Sequence, residues 1–408
     1  MYPIYILKIL LYNYCKEVMA LDFSALYNEI KDEIITLRRS IHQNPELAFE
    51  EYRTAQTICN FLDKHKIAHT DGIAKTGVCA VIGDRSKDAV LIRADMDALP
   101  VTENTGAPFA SQVHGKMHAC GHDIHISAAL AAAYMLKHIE SELDVCVKIV
   151  FQPAEETTGG AQIMIDEGVL ENPTVTSAIG GHVTGEIPTG KVWLKDGALM
   201  ASPDDFTVTF TGKSTHGAQP EKGISPILPA CEFVLEIGEL IKKKTYYDKD
   251  CVFSICTVSG GNSVNVIPDE ARVIGTFRSF SKKSREDASR VITDTADEIA
   301  KKHGAKAESV YNFLYPPLIN DSKMTEKMRC TLKNIIGENN IIDLKKPLMT
   351  GEDFSYFASA VPSVFIWYGA SADGKGAPLH SDKFNPDEGA IEVAAKVFCD
   401  FVTREALK

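Results

Sequence analysis

Four short stretches of the chain concentrate the residue types that bind metals and move protons. They are Arg93-Ala94-Asp95-Met96-Asp97, Met117-His118-Ala119-Cys120-Gly121-His122-Asp123, Phe151-Gln152-Pro153-Ala154-Glu155-Glu156 and Gly180-Gly181-His182. Cys120 and His122 stand two residues apart. In an extended or looping segment such a pair can converge on one ion, and thiolate plus imidazole suits a borderline-soft divalent metal. The same pair also fits a reactive thiol beside a histidine, or an ordinary loop. Neighbouring glutamates are commonly solvated surface, but Glu155 and Glu156 follow the apolar run VCVKIVF and a Gln-Pro turn. Successive side chains at a strand end diverge, so one carboxylate can hold a metal while the other reaches a water bound to it. A metal-polarised water needs a base, and a nearby carboxylate serves.

These stretches must be positioned by regular elements, and the sequence predicts which. The pattern gives amphipathic helices over Ala25–Asn44 and Thr54–His65, then apolar runs at Val78–Ile82, Ala89–Ala94, Val145–Phe151 and Ser177–Gly180. Between the second and third runs, Asp123–Glu140 has the alanines and the i, i+3, i+4 apolar spacing of a buried helix. Short apolar strands alternating with helices imply an α/β fold, a mainly parallel sheet with helices on both faces. All four chemical stretches then fall just after strands, where open α/β sheets place their ligands.

Near Ser202 the pattern changes. Asp205–Gly212 alternates polar with apolar residues, followed by a helix over Ser225–Lys243 and strands at Cys251–Val258 and Glu270–Arg278. A helix over Ser284–His303 and a strand at Ala305–Phe313 complete a βαββαβ order, the ferredoxin-like arrangement. After Tyr315-Pro316-Pro317 the alternation resumes through Val364–Tyr368 and ends in a helix over Glu388–Leu407. The expected organisation is an N-terminal extension (1–20), a discontinuous catalytic domain (21–201 and 315–408) and an inserted α+β domain (202–314).

Composition excludes some classes. The 408 residues suffice for two cores. The excess of 55 acidic over 43 basic side chains argues against nucleic-acid binding, which depends on basic surface. Ten scattered cysteines in apolar contexts suggest free thiols in a reducing cytoplasm rather than a disulfide framework. The opening MYPIYILKILLYNYCKEV is too short and too interrupted for a membrane span, and no small-residue cleavage site follows it. It is taken as an extension, with Met19 an alternative start. No membrane partner is expected.

Taken in order, RADMDALP, MHACGHD, FQPAEE, GGHV, THGAQP, NVIPD, GTFR, EDFSYF and LHS resemble the dinuclear metal-dependent amidohydrolases. That group includes hippurate hydrolase, aminoacylase-like and carboxypeptidase G-type enzymes, and the hydrolases of auxin–amino acid conjugates. The resemblance runs from about Leu21 to the C-terminus. It implies that Cys120, His122, Glu156, His182 and His380 bind two divalent ions (Zn, Mn, Co or Ni). It makes Glu155 the general base, with Asp97 orienting a ligand. His216 would stabilise the oxyanion, and Asn265 and Arg278 would hold the substrate carboxylate. The implied reaction is hydrolysis of an N-acyl amino acid by a metal-bound hydroxide. The inserted domain would act as a lid and dimerisation surface, so His216 could serve its own or a neighbouring subunit's site.

Rival expectations are other substrates of the same family (N-acetyl-diaminopimelate, aminobenzoyl-glutamate, a dipeptide), a cysteine-nucleophile hydrolase built on Cys120 and His122, and a binding protein without catalysis. Two positions depart from the family pattern: Thr350 replaces a glycine, and Gly181 a larger apolar residue. His118 and His125 are expected to pack or support the site. His42, His65, His69, His114, His138 and His303 are expected at the surface, and the cysteines other than Cys120 in the core.

Overall fold

The computed structural model describes residues 22–157, 159–244 and 251–406. The N-terminal extension and the Met19 start lie outside the described residues. The chain begins with α1 (Ser24–Gln43) and α2 (Tyr52–Lys64), then β1 (Ala68–Ile73), β2 (Gly77–Ile82) and β3 (Ala89–Asp95). It continues through α3 (His122–His138), β4 (Cys146–Gln152), α4 (Gly160–Asp166), β5 (Val175–Pro188) and β6 (Val192–Leu194). Next come β7 (Ser202–Thr211), β8 (Thr215–His216), α5 (Ile227–Lys244), β9 (Val252–Gly260), β10 (Val266–Ile267), β11 (Glu270–Ser279), α6 (Lys282–Lys302) and β12 (Lys306–Asn312). The last elements are α7 (Ser322–Ile335), β13 (Ile341–Asp343), β14 (Ser363–Ser371) and α8 (Gly389–Ala406). Two compact units result. One comprises the described residues up to Gly197, Ile319–Lys346 and the residues from Tyr356 onward; the other comprises Ala198–Leu318 and Pro347–Ser355.

The first unit is built on an eight-stranded sheet in the order β1-β2-β4-β3-β5-β14-β6-β13. Its centre, β4-β3-β5-β14, is parallel, while β1, β2 and β6 join antiparallel. Every residue of β3, β4 and β14 is buried, so both faces of the central sheet are covered. That is why these strands show as continuous apolar runs. The alanines of α3 (Ala128, Ala129, Ala131, Ala132 and Ala133) are fully buried and let this helix pack closely against α1 and α8.

Among the strands that differ from expectation, two belong to the main sheet's edge and centre. β1, with the sequence AHTDGI, is a mostly exposed edge and carries no apolar signal. β5 runs to Pro188 rather than stopping at Gly180. Its two glycines and later polar residues hide the strand, but pairing with β14 continues through His182 and Thr184.

The second unit has an antiparallel sheet in the order β9-β11-β7-β12, the ferredoxin-like order of a βαββαβ chain. Phe206, Val208 and Phe210 of β7 face a core shared with Phe233 and Ile237 of α5 and Ile292 and Ile299 of α6. The intervening Thr207 and Thr209 are half-buried, which is the alternation the sequence displays. A separate ribbon pairs β8 with β10 and sets His216 opposite Val266.

Candidate metal centre

Parallel pairing brings the strand ends level: Asp95 lies beside Gln152, and Ile92 beside Ile179. The segments leaving β3 and β4 carry Asp97, Glu155 and Glu156. His182 sits within β5, beside Trp367 of β14, rather than after a strand as expected. Its ring lies 4.7 Å from that of Trp367, centroid to centroid. Cys120 comes in on the turn before α3. Gly121 there has φ 84°, and a Cβ on it would lie 2.5 Å from Val183 Cγ2, so only glycine fits. His122 therefore opens α3 instead of lying in a loop. His380, in the turn beyond β14, is left-handed (φ 64°) and donates its amide to the Ala119 carbonyl at 2.9 Å.

These turns gather five side chains. Cys120 Sγ is 3.3 Å from His182 Nε2 and 3.3 Å from His380 Nε2. His380 Nε2 is 3.3 Å from Glu156 Oε1, and His122 Nε2 is 3.8 Å from the same oxygen. Two groups able to hold an ion result, Cys120–His122–His182 and Cys120–Glu156–His380, with ligand atoms in each within 4.8 Å of one another. Glu155 forms a third with His122 and Glu156.

The donor set fits cations. Among the described residues His122 Nε2 and Glu156 Oε1 are buried without a hydrogen-bond partner, a state buried polar atoms rarely occupy. His182 Nδ1 donates to the Val183 carbonyl at 2.8 Å, which leaves Nε2 with its lone pair turned toward Cys120.

Burial lowers the His182 pKa well below its usual value, and neighbouring His125 and His122 add to this. Burial also pulls on His122, but Asp95, Asp97 and Glu156 outweigh it and raise its imidazole to about 10. The Cys120 thiol is pushed well above its ordinary value, by burial first and then by Glu156 and Glu155. A nucleophilic thiol needs the opposite environment, so burial and the carboxylates beside Cys120 weigh against the cysteine-nucleophile alternative.

Asp97 is buried behind the cluster. Its Oδ1 accepts the Glu155 amide at 3.1 Å and its Oδ2 the Glu156 amide at 3.0 Å, and Oδ1 is 3.3 Å from His122 Nδ1. His125 supports the site as expected, whereas the roles of Asp95 and Arg93 behind it carried no signal in the sequence. His125 Nε2 accepts the Val183 amide at 3.0 Å, so its Nδ1 is the protonated nitrogen, 2.5 Å from Asp95 Oδ1. Asp95 is in turn paired with Arg93.

His42, expected at the surface, is buried. It forms a network with Arg38, Asp123 and Glu103, in which Arg38 Nε is 2.7 Å from Asp123 Oδ2. The spacing of Ile34, Arg38, Ile41 and His42 on one face of α1 is the signal that reveals it. His118 is buried, and burial lowers its pKa to about 3. Cys231 and Cys256 are exposed and Cys251 half-buried, against the expectation of core positions, and Cys330 is disulfide-bonded, against the expectation of free thiols.

The second unit carries the remaining candidates. His216 is exposed, and its Nδ1 accepts the Ala218 amide at 3.1 Å. The Asn265 carbonyl accepts the Gly217 amide at 2.7 Å, so the ribbon keeps Asn265 next to His216. Arg278, near the end of β11, is half-buried, and its guanidinium makes no hydrogen bond or ion pair among the described residues.

Residues 91–404 match Peptidase family M20/M25/M40. The chain belongs to this family. It is 35% identical over 369 residues to N-acetylcysteine deacetylase of Bacillus subtilis, covering 90% of this chain and 95% of the relative. It is 34% identical over 389 residues to IAA-amino acid hydrolase ILR1-like 4 of Arabidopsis thaliana, covering 93% and 87%. The crystal structure of Bacillus subtilis YxeP protein, described as a dinuclear metal binding peptidase of family M20, superposes with a TM-score of 0.81 at 32% identity, covering 93% of this chain and 100% of that one.

As an M20 member the protein is a metal-dependent hydrolase of amide bonds, with the large mostly parallel sheet and added lid domain of that fold. Its two departures from the family pattern have local settings. A Cβ on Gly181 would lie 3.0 Å from Ile366 Cγ1 and 3.1 Å from Tyr368 Cε1, so neighbouring side chains occupy that space. Thr350 is exposed, and its carbonyl accepts the Ala201 amide at 3.1 Å. No helix among the described residues is long and apolar enough to cross a membrane.

Proposed function

We propose that the protein hydrolyses N-acyl amino acids (hippurate-like, N-acetyl or similar conjugates), with two divalent ions held by Cys120, His122, Glu156, His182 and His380. The observation that carries this reading is the convergence of these five side chains from separate segments, with Glu155 beside them. The names of the relatives above, a deacetylase of N-acetylcysteine and a hydrolase of IAA-amino acids, support an acylated amino acid as the substrate class. The donor set accommodates Zn, Mn, Co or Ni.

Bound there, divalent ions would supply an acidified water and a Lewis acid for the amide carbonyl. Glu155 takes the proton from that water and passes it to the leaving amine. Asp97 holds Glu155 and Glu156 by their amides and orients His122. His216 has its Nδ1 occupied as an acceptor, so Nε2–H is free to donate to the oxyanion. The Asn265 amide and the Arg278 guanidinium grip the substrate carboxylate, a planar group that arginine binds through two hydrogen bonds.

We assign residues 202–314 as an inserted lid and dimerisation domain, with His216 serving its own or a neighbouring subunit's site. The cytoplasm is the proposed location, on the strength of the scattered cysteines.

The test is amino-acid release from a panel of N-acetyl, N-benzoyl and indole-acetyl amino acids, with and without chelator. Release that chelation abolishes is expected, as is loss of turnover at normal metal content in Glu155→Gln. Substantial activity in that variant overturns the role of Glu155. Silence across the panel from metal-loaded protein overturns the substrate class in favour of a peptide or diaminopimelate substrate.

A further inference from the structure

The residue before the two glutamates is in an unusual conformation. Ala154 has φ 58°, in the left-handed region where a Cβ crowds the following carbonyl. Its amide donates to Glu51 Oε1 at 3.0 Å, while the next two amides donate to the two oxygens of Asp97. Three successive amides are therefore held by two carboxylates. Glu51 is fully buried, its Oε2 accepts the Thr76 hydroxyl at 2.6 Å, and it has no ion pair among the described residues. An interior carboxylate without a cation is costly, so its hydrogen bonds must compensate. The turn is also tightly packed: a Cβ on Gly160 would lie 2.0 Å from the Pro153 carbonyl oxygen, and one on Gly77 3.1 Å from Pro153 Cδ.

We propose that Glu51 is a positioning residue, which by accepting the Ala154 amide holds the left-handed turn that presents Glu155 and Glu156 to the metal centre. The proposal rests on the roles given above to those two glutamates. Asp97 fixes the two amides themselves; Glu51 fixes the turn from which they emerge.

Glu51→Ala leaves the Ala154 amide without its acceptor, and kcat per metal-loaded site is expected to fall about 10- to 100-fold with KM changed less than about threefold. Glu51→Gln keeps an oxygen for Ala154 and places its amide group toward the Thr76 hydroxyl, so it should rescue kcat to within about threefold. Ala154→Gly relieves the crowding of the left-handed turn, and in that background Glu51→Ala should cost less than about fivefold. Glu51→Asp, which retracts the acceptor by one methylene, gives the same comparison if the alanine variant does not fold.

The visible spectrum of the Co(II)-loaded protein supplies a readout besides activity, and Glu51→Ala should alter it by disturbing Glu156. A lowered Tm with unchanged kcat and unchanged Co(II) spectrum overturns the proposal and leaves Glu51 a purely structural residue. An equal penalty in the parent and Ala154→Gly backgrounds overturns the route through the turn. Activity surviving in Glu155→Gln is a separate failure, that of the base assignment, and the Co(II) spectra of the Glu51 variants then still decide whether Glu51 positions Glu156.

Discussion

The buried network beside α3 makes stability depend on alkaline pH. His42 Nδ1 lies 2.8 Å from Asp123 Oδ2 and Nε2 lies 3.3 Å from Glu103 Oε1. With a carboxylate at each nitrogen, both are donors only when the ring is protonated. Burial pulls the imidazole pKa down, yet Asp123 and Glu103 outweigh it and Arg38, and raise it from 6.5 to about 9. The folded state therefore holds this proton more tightly than the unfolded chain. The resulting stability is present in full below pH 6.5, fades as pH rises toward 9 and is gone above it. At 1.36 kcal/mol per pH unit the interval corresponds to about 3 kcal/mol. Burial raises the Glu103 pKa, but its bonds to His42, Thr105 and Ser111 bring it down to about 2, so that partner titrates in acid, outside this window. Urea unfolding of the wild type and His42→Gln at pH 6, 7.5 and 9.5, with the same metal load, isolates the contribution. The stability gap between them should narrow by about 3 kcal/mol across the series. A gap that is constant, or that widens with pH, refutes the protonated-His42 network.

Two further outcomes follow from the site. Asp97→Asn turns an N–H group toward one of the two amides that Asp97 now accepts. Metal affinity measured by chelator competition should fall about 10- to 100-fold, and unchanged affinity would exclude Asp97 as the orienting group. Metal loading near pH 7 should release at least about two protons, because the Cys120 thiol is held well above its usual value and the His122 imidazole near 10, while both must be deprotonated to bind, and His380, raised by its bond to Glu156, adds to the release. Calorimetry in buffers of different ionisation enthalpy counts them, and release of less than about one proton refutes this protonation state.

Much of the fold was legible because burial on both faces leaves continuous apolar runs, as in AVLIRAD of β3 and CVKIVFQ of β4. β1 was not, because an exposed edge strand needs no apolar residues. The extent of β5 was hidden by Gly180 and Gly181, and the packing of Ile366 and Tyr368 accounts for Gly181 only once the neighbouring strand is placed. In the site, the short motifs contained every side chain that the structure gathers around Cys120. Residues that act through backbone amides left no such trace. Glu51 looks like one of many surface glutamates, and nothing local shows that Ala154 turns left-handed above it. His42 was misplaced because a histidine near a helix end is ordinarily solvated, whereas here it continues the buried stripe begun by Tyr27, Ile30 and Ile34.

The cluster is supported by four buried carboxylates, and each secures a different part of it. Glu51 holds the Ala154 turn, Asp97 the amides of Glu155 and Glu156, and Asp95 the His125 ring that accepts the amide beside His182. Asp123 ties the start of α3, and so His122, to Arg38 and His42 of α1. Burying a carboxylate is unfavourable unless charge-assisted hydrogen bonds compensate, so each of these four carboxylates stabilises the fold only while its segment stays in place. That couples the positions of the ligand segments to the stability of the whole first unit. His380 is the exception. Its side chain is 55% exposed, its backbone is left-handed, and its amide donates a hydrogen bond to the Ala119 carbonyl. No buried carboxylate among the described residues supports its Nδ1, so the least constrained corner of the cluster is also the one that faces water.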